Sequence, residues 1–252
     1  MTVETIAVGP GGAPDDRSRR ATTTAGGHFL DRASGCRIRL ATPAAEPGLW
    51  ARYLDGALRT YRHFGVEEAL ELSATADGDT TALFCTATDA DGRMVAGVRV
   101  QGRYRRVTDA TSLLAWAGRP GESALRMMMA GRLPFGVVEG RGAWVSRETP
   151  YRNELGAAIS RCLAHAPRLL DARFCFATVA SFTASRHAAS GGLTATDITP
   201  VPYPDDRYRT VPIWWDTRRY RNIAAPDQYA AMQAEWVELG LPEPDPRPFR
   251  GC

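Results

Sequence analysis

The chain has 252 residues, 31 basic against 28 acidic side chains, a net charge of +3 and 44% hydrophobic residues, enough material for an ordinary globular core. The small, scattered basic excess argues against a nucleic-acid binder, which gathers its charge onto one face or tail. All 31 basic residues are Arg, which excludes chemistry that needs an amine side chain, such as a Schiff base or a P-loop lysine.

Residues 1–33 are rich in Gly, Pro, Thr and Arg without periodicity, and read as a disordered leader. They hold no apolar run of signal-peptide length, and no later segment approaches a membrane span. The five cysteines are dispersed, with no CxxC and no His at ligand spacing. That pattern suits a reducing cytoplasm and argues against a structural zinc; no metal site is expected.

Residues 36–42 alternate apolar and charged, as a strand does. From Pro47 to Phe64 the residues Leu49, Trp50, Tyr53, Leu54, Ala57, Leu58, Tyr61 and Phe64 recur at three and four, predicting an amphipathic helix with Pro47 in its first turn. A shorter helical piece is expected over 67–72. Residues 81–102 are two β-rich runs joined by Asp89-Ala90-Asp91-Gly92, a hairpin signal. Helical fragments follow at 109–118 and 122–133, then a strand at 137–146. A helix over about 153–166 is closed by Pro167. Residues 172–180 read as a buried strand, 183–193 as a short helix ending at Gly191-Gly192, 198–216 as a hairpin, and 225–240 as a terminal helix. This order predicts one α+β domain over 34–217, a mixed sheet with crossover helices, and a tail over 218–252 carrying one helix. Tyr229, Met232 and Trp236 of that helix offer a face for docking on this domain or on a neighbour; oligomeric state is not readable.

One glycine stands out. Gly156 sits near the start of the 153–166 helix, where Gly costs about 1 kcal/mol against Ala. The first turn of a helix after a strand offers free N–H groups and the positive end of the helix dipole. A glycine there lets a phosphate oxygen approach without a Cβ in the way, and Arg147 and Arg152 add charge. The bland alternative is a strand–loop–helix unit that binds nothing.

From residue 36 to 216 the order of elements resembles the GNAT superfamily of acyl-CoA-dependent N-acyltransferases. Their phosphate loop runs Gln/Arg-x-x-Gly-x-Gly/Ala. The corresponding stretch is Asn153-Glu154-Leu155-Gly156-Ala157-Ala158, with Asn153 in place of the usual first residue. A glutamate early in the fourth strand serves many of these enzymes as general base, and Glu139 holds that register. Within the superfamily the resemblance is nearer to acyl-homoserine-lactone synthases and N-acyl amino acid synthases. It lies in Arg62-His63-Phe64 on the first helix, Gly97-Val98-Arg99 on the third strand, and the extra helices over 109–133. Their Arg lies three residues after the strand Glu, whereas Arg141 lies two after Glu139, and their acidic pair for S-adenosylmethionine is not found. The Tyr that simple acetyltransferases place four residues before Gly-Phe is replaced by Ala188; Ser185, His187 or Tyr203 stand as substitutes, or no protein acid is needed.

The resemblance implies a mostly antiparallel sheet flanked by helices, and an N-acyltransferase that moves an acyl group from acyl-CoA, or from the phosphopantetheine of an acyl carrier protein, to a small-molecule amine. Glu139 would take the amine's proton, and a backbone N–H near Val145 would face the oxyanion. The pantetheine arm would pair with the strand edge at Trp144, Val145 and Ser146, and the head of the helix at 153–158 would hold the phosphate. Arg62 and Arg99 could hold a carboxylate on the acceptor, a bidentate task for Arg, or Arg99 could form a strand-end ion pair. Leu113, Leu114, Trp116, Leu125 and Met127 to Met129 suit an acyl chain or simply close the core. A catalytically degenerate protein that kept the fold as a binding or scaffold module is the alternative reading.

Overall fold

The computed structural model describes residues 26–243. Strand β1 (Gly27–Asp31) pairs antiparallel with β2 (Cys36–Ala41), so the end of the expected leader is an edge strand instead. Alternation hid it because the two inward residues are Phe29 and Asp31, and the second is a carboxylate. The rest of the expected leader, 1–25, lies outside the described residues.

Helix α1 (Pro47–Phe64) spans the predicted range and stops at Gly65 in the left-handed region. Residues 67–74 form short 3-10 turns. The predicted hairpin is β3 (Leu83–Thr88) and β4 (Met94–Gly102). In the crossover that follows, Thr111–Trp116 is a 3-10 turn, and only α2 (Glu122–Arg132) is α-helical. Then come β5 (Val137–Val145), α3 (Arg152–Leu169) and β6 (Phe174–Ala180). Pro167 does not close α3, because the Leu170 N–H still reaches the Ala166 carbonyl at 3.0 Å and the helix runs on to Leu169. The chain continues through α4 (Ala184–Ala189), β7 (Gly192–Thr194), β8 (Val201–Pro202), β9 (Arg209–Asp216), α5 (Tyr220–Ile223) and α6 (Pro226–Glu238).

The sheet runs β1-β2-β3-β4-β5-β6-β9-β7, with β8 also on β9. All pairs are antiparallel except β5 with β6. This is the α+β architecture expected from the order of elements. α3 lies across one face, because Leu155, Ile159, Cys162, Leu163 and Ala166 recur at three and four and pack on Val98, Val100, Val138 and Ala177. The opposite face is covered by α1, through Trp50, Tyr53 and Ala57, and by the 107–133 crossover, through Leu113, Trp116, Leu125 and Met129. α6 packs against α3 and β1. Among the described residues no helix is long and apolar enough to cross a membrane.

Candidate active site

Two irregularities in β5 shape the middle of the sheet. Gly142 has φ +59, and between Arg141 and Trp144 the register against β4 slips, with Arg99 opposite Arg141 but Gly97 opposite Trp144. That is a bulge at a residue whose missing Cβ permits the left-handed turn. Second, β5 and β6 pair only from Val137 with Phe174 to Gly140 with Ala177; from Thr178 onward β6 pairs with β9 alone. Parallel strands that part in this way leave a strand edge unpaired inside the sheet. The Ser146 N–H bonds to Val95 on the β4 side at 2.7 Å. By the two-residue alternation of a strand, the Val145 N–H therefore points to the opened edge.

Glu139 lies on β5 just below the point of parting, wholly buried and on the α1 face. Arg141, two residues on, shares that face, and so does Arg99 across the ladder. The Tyr104 hydroxyl donates to Glu139 Oε2 at 2.7 Å, and Gln101 Oε1 lies 3.0 Å from the same hydroxyl. Glu139 Oε1 and Arg99 Nη1 are both enclosed and without a hydrogen-bond partner. Burial pushes the Glu139 carboxyl above its ordinary range, against the pull of Arg141, the Ser112 and Tyr104 hydroxyls, and Arg99. Burial likewise lowers the Arg99 guanidinium. Arg141 donates to Glu71 at 2.8 Å and to Thr111 at 2.7 Å, while Tyr53 and Tyr61 of α1 donate to the Gly142 and Ala143 carbonyls, fixing the bulge. A buried carboxylate oxygen and a buried guanidinium nitrogen without partners are costly, and a water, an ion or a ligand beside them would offset that cost.

The residues expected to hold the acyl donor lie beyond the bulge. Trp144 is buried against α1, and Arg147 is exposed, with its guanidinium 3.2 Å from His63 Nδ1 at the end of α1. A cavity of about 860 Å³ opens between α1 and the loop after β5, lined by Arg59, His63, Trp144, Ser146 and Arg147 among others; it reaches neither Glu139 nor the first turn of α3. That first turn has no side-chain cap on its N–H groups, and Arg152 and Asn153 at its head are exposed. Leu155, Gly156 and Ala158 face inward, with Glu154 and Ala157 half-buried. The bare backbone at Gly156 approaches Arg186 of α4: a Cβ there would lie 2.8 Å from Arg186 Nε and 2.9 Å from its Cζ. An exposed cation thus lies flat against the head of α3.

No family model matches the chain. An uncharacterized protein of Mycobacterium tuberculosis and one of Mycobacterium bovis are each 43% identical to it over 204 residues, covering 81% of this chain and 78% of theirs. The chain belongs to their family. Among solved structures it is similar to FeeM, an N-acyl amino acid synthase from uncultured soil microbes, with a TM-score of 0.55 at 8% identity over 76% of this chain and 95% of that one. The acyl-homoserine-lactone synthase LasI aligns with a TM-score of 0.50 at 10% identity, over 73% of this chain and 90% of its own. The fold is thus the GNAT-like fold of N-acyltransferases, in the form shared with these synthases.

Within this GNAT-like frame the residues predicted from sequence are dispersed unevenly. Glu139 and Arg99 share one face of the sheet, near enough to feel each other's charge. Arg62 is exposed near the end of α1, outside their cluster, and Trp116 is fully buried in the core with its indole N–H on the Thr199 carbonyl at 2.9 Å. His187 is buried against Ser160 Oγ at 2.9 Å and held down to about 4 by desolvation, turned toward α3 rather than toward Glu139. Tyr203 lies close enough to Arg141 and Glu139 to feel their charges. Tyr104, Gln101, Glu71 and Arg186 were missed because each reaches the site from a distant segment. Arg141 was readable, since residues two apart on a strand share a face.

Proposed function

We propose that this protein is an N-acyltransferase that takes its acyl group from a thioester, acyl-CoA or an acyl carrier protein, and gives it to a small-molecule amine. The observation that carries the reading is the pair of enclosed, unpartnered atoms, Glu139 Oε1 and Arg99 Nη1, beside the parted strands. An ammonium would satisfy the first and an anionic group on the same acceptor the second. Glu139 takes a proton from the acceptor nitrogen, which attacks the thioester carbon. The Val145 N–H faces the oxyanion from the strand edge. The C–S bond then breaks and the thiolate leaves, taking up a proton. The pantetheine arm lies along Trp144 to Ser146, and the phosphate rests at the head of α3 on Asn153 to Ala158, with Arg147, Arg152 and Arg186 nearby.

The test is thermal denaturation with and without CoA, a medium-chain acyl-CoA and an acyl carrier protein. A donor of the right kind raises Tm, and Gly156→Glu, which puts a carboxylate at the phosphate position, removes the shift. Glu139→Gln keeps the donor shift and loses at least about a hundredfold in transfer rate across an amine panel, the usual scale for a positioned base. No shift with any donor overturns the reading; a shift with no turnover in the wild type supports the scaffold alternative instead.

A further inference from the structure

Tyr104 has one hydroxyl proton and two acceptors, Glu139 Oε2 at 2.7 Å and Gln101 Oε1 at 3.0 Å. Gln101 and Glu139 are direct cross-strand neighbours, and Tyr104 follows β4 by two residues. Gln101 and Glu139 are therefore held by the ladder itself, and Tyr104 is tied to it by its N–H on the Val137 carbonyl at 3.0 Å. We propose that Tyr104 and Gln101 form a two-position hydroxyl switch that sets the proton affinity of Glu139. It rests on the reading of Glu139 as the base in the proposed transfer.

When Glu139 is ionised, the Tyr104 O–H donates to Oε2, a charge-assisted bond of the stronger kind. Oε1 makes no hydrogen bond of ordinary geometry, although the Ser112 hydroxyl lies near this carboxyl, and it is the oxygen left to receive the acceptor's proton. Once Oε1–H has formed, Oε2 becomes the weak carbonyl oxygen of a neutral acid. The Tyr104 O–H then turns about its C–O bond to the amide oxygen of Gln101, a better acceptor than that carbonyl. No covalent bond other than the transferred O–H changes. The buried phenol keeps a partner in both states, and the oxygen it turns away from is by then the weaker acceptor of a neutral acid. The switch predicts opposite effects from its two parts. Tyr104 stabilises the charged form and holds the pKa down, whereas Gln101 stabilises the state that follows protonation and holds it up.

The other groups facing Glu139 are Arg99 on β4, Arg141 on β5, Ser112 in the crossover and Tyr203 before β9. They are the same in every variant and set the baseline. Burial, which raises the carboxyl, places the switch where its effect is least screened.

The experiment follows the carbonyl-stretching infrared band of the protonated Glu139 against pH in the full-length, ligand-free protein. The band is assigned by its loss in Glu139→Gln, and folding is checked by circular dichroism. Tyr104→Phe is expected to move the titration midpoint up by roughly one pH unit, the scale of one lost hydrogen bond to a charge. Gln101→Met, similar in length but with no amide oxygen, is expected to move it down by about half a unit. Shifts of the same sign in both variants, or a Gln101→Met midpoint equal to wild type, overturn the switch, and the second result does so even if Tyr104→Phe fails to fold. The acyl-transfer reading fails separately, through Glu139→Gln retaining full rate.

Discussion

At the scale of single residues, the question raised by Gly156 has a concrete answer. Its missing Cβ is the space in which the Arg186 side chain lies. Arg186 comes from the six-residue helix that His187 ties to Ser160 of α3, and it stays exposed. Two positive features, a guanidinium and the head of a helix dipole, thus share one spot, an arrangement that repels itself unless an anion joins it. For the phosphate-bearing acyl donor of the proposed function, Arg186→Ala is expected to weaken binding by roughly tenfold at low salt, with a smaller effect at high ionic strength as screening shortens the reach of the charge. Gly156→Ala adds a Cβ against the movable end of that side chain, so Arg186 swings away while the fold survives. Isothermal titration should then show a similar loss for Gly156→Ala, and little further loss in the double variant, because both changes remove one interaction. Additive losses would mean that Arg186 and Gly156 act separately.

At the scale of elements, the contact that seats α1 on the sheet decides whether the bulge keeps its shape. Trp144 follows the bulge, and its ring meets α1 at Gly56, where a Cβ would lie 2.3 Å from the indole. Gly56→Ala gains up to about 1 kcal/mol in helix propensity. The overlap costs about 1–3 kcal/mol, because the indole is enclosed and cannot rotate clear. Overpacking wins, so a lower urea midpoint is expected, together with loss of donor binding as Trp144 moves. A midpoint at or above wild type would show that the helix shifts without cost. The same element shows what the sequence could tell. The apolar period of α1, the Asp-Ala-Asp-Gly turn and the apolar run of β6 rest on local patterning, and each element lies where that patterning put it. β1 was lost because an inward carboxylate broke its pattern, and three-residue β7 is too short to have a period. Glu139 could be found because its place early in a strand matches the general base of the enzymes the chain resembles. Tyr104, Gln101 and Arg186 matter only through contacts made after folding, so no local signal marks them.

At the scale of the whole molecule, the inward carboxylate that hid β1 is part of what ties the two ends of the fold together. Arg161 of α3 donates to Asp31 of β1 at 2.5 Å, to Glu235 of α6 at 2.8 Å and to Gln228 at 2.7 Å. The other Glu235 oxygen lies 2.7 Å from His165 Nε2, and Trp236 donates to His165 Nδ1 at 3.0 Å. Since Nδ1 accepts, Nε2 carries the proton, so the imidazole is neutral and donates to Glu235. Arg161 is thus the cation between two enclosed carboxylates, and all of these groups except Gln228 are nearly or wholly buried. Burying such ions costs several kcal/mol each, so the network adds little net stability over an apolar core of the same shape. What it does supply is dependence: neither β1 nor α6 can stay docked if the central charge is lost. Arg161→Leu is therefore expected to cost about 3–5 kcal/mol by urea denaturation, as for other buried pairs broken on one side. Adding Asp31→Asn and Glu235→Gln to Arg161→Leu removes both stranded charges and should restore more than half of that loss. Hydrogen exchange should show β1 and α6 opening together in the single variant while β4, β5 and α1 stay protected. If β1 and α6 open independently, the network is only a set of separate contacts.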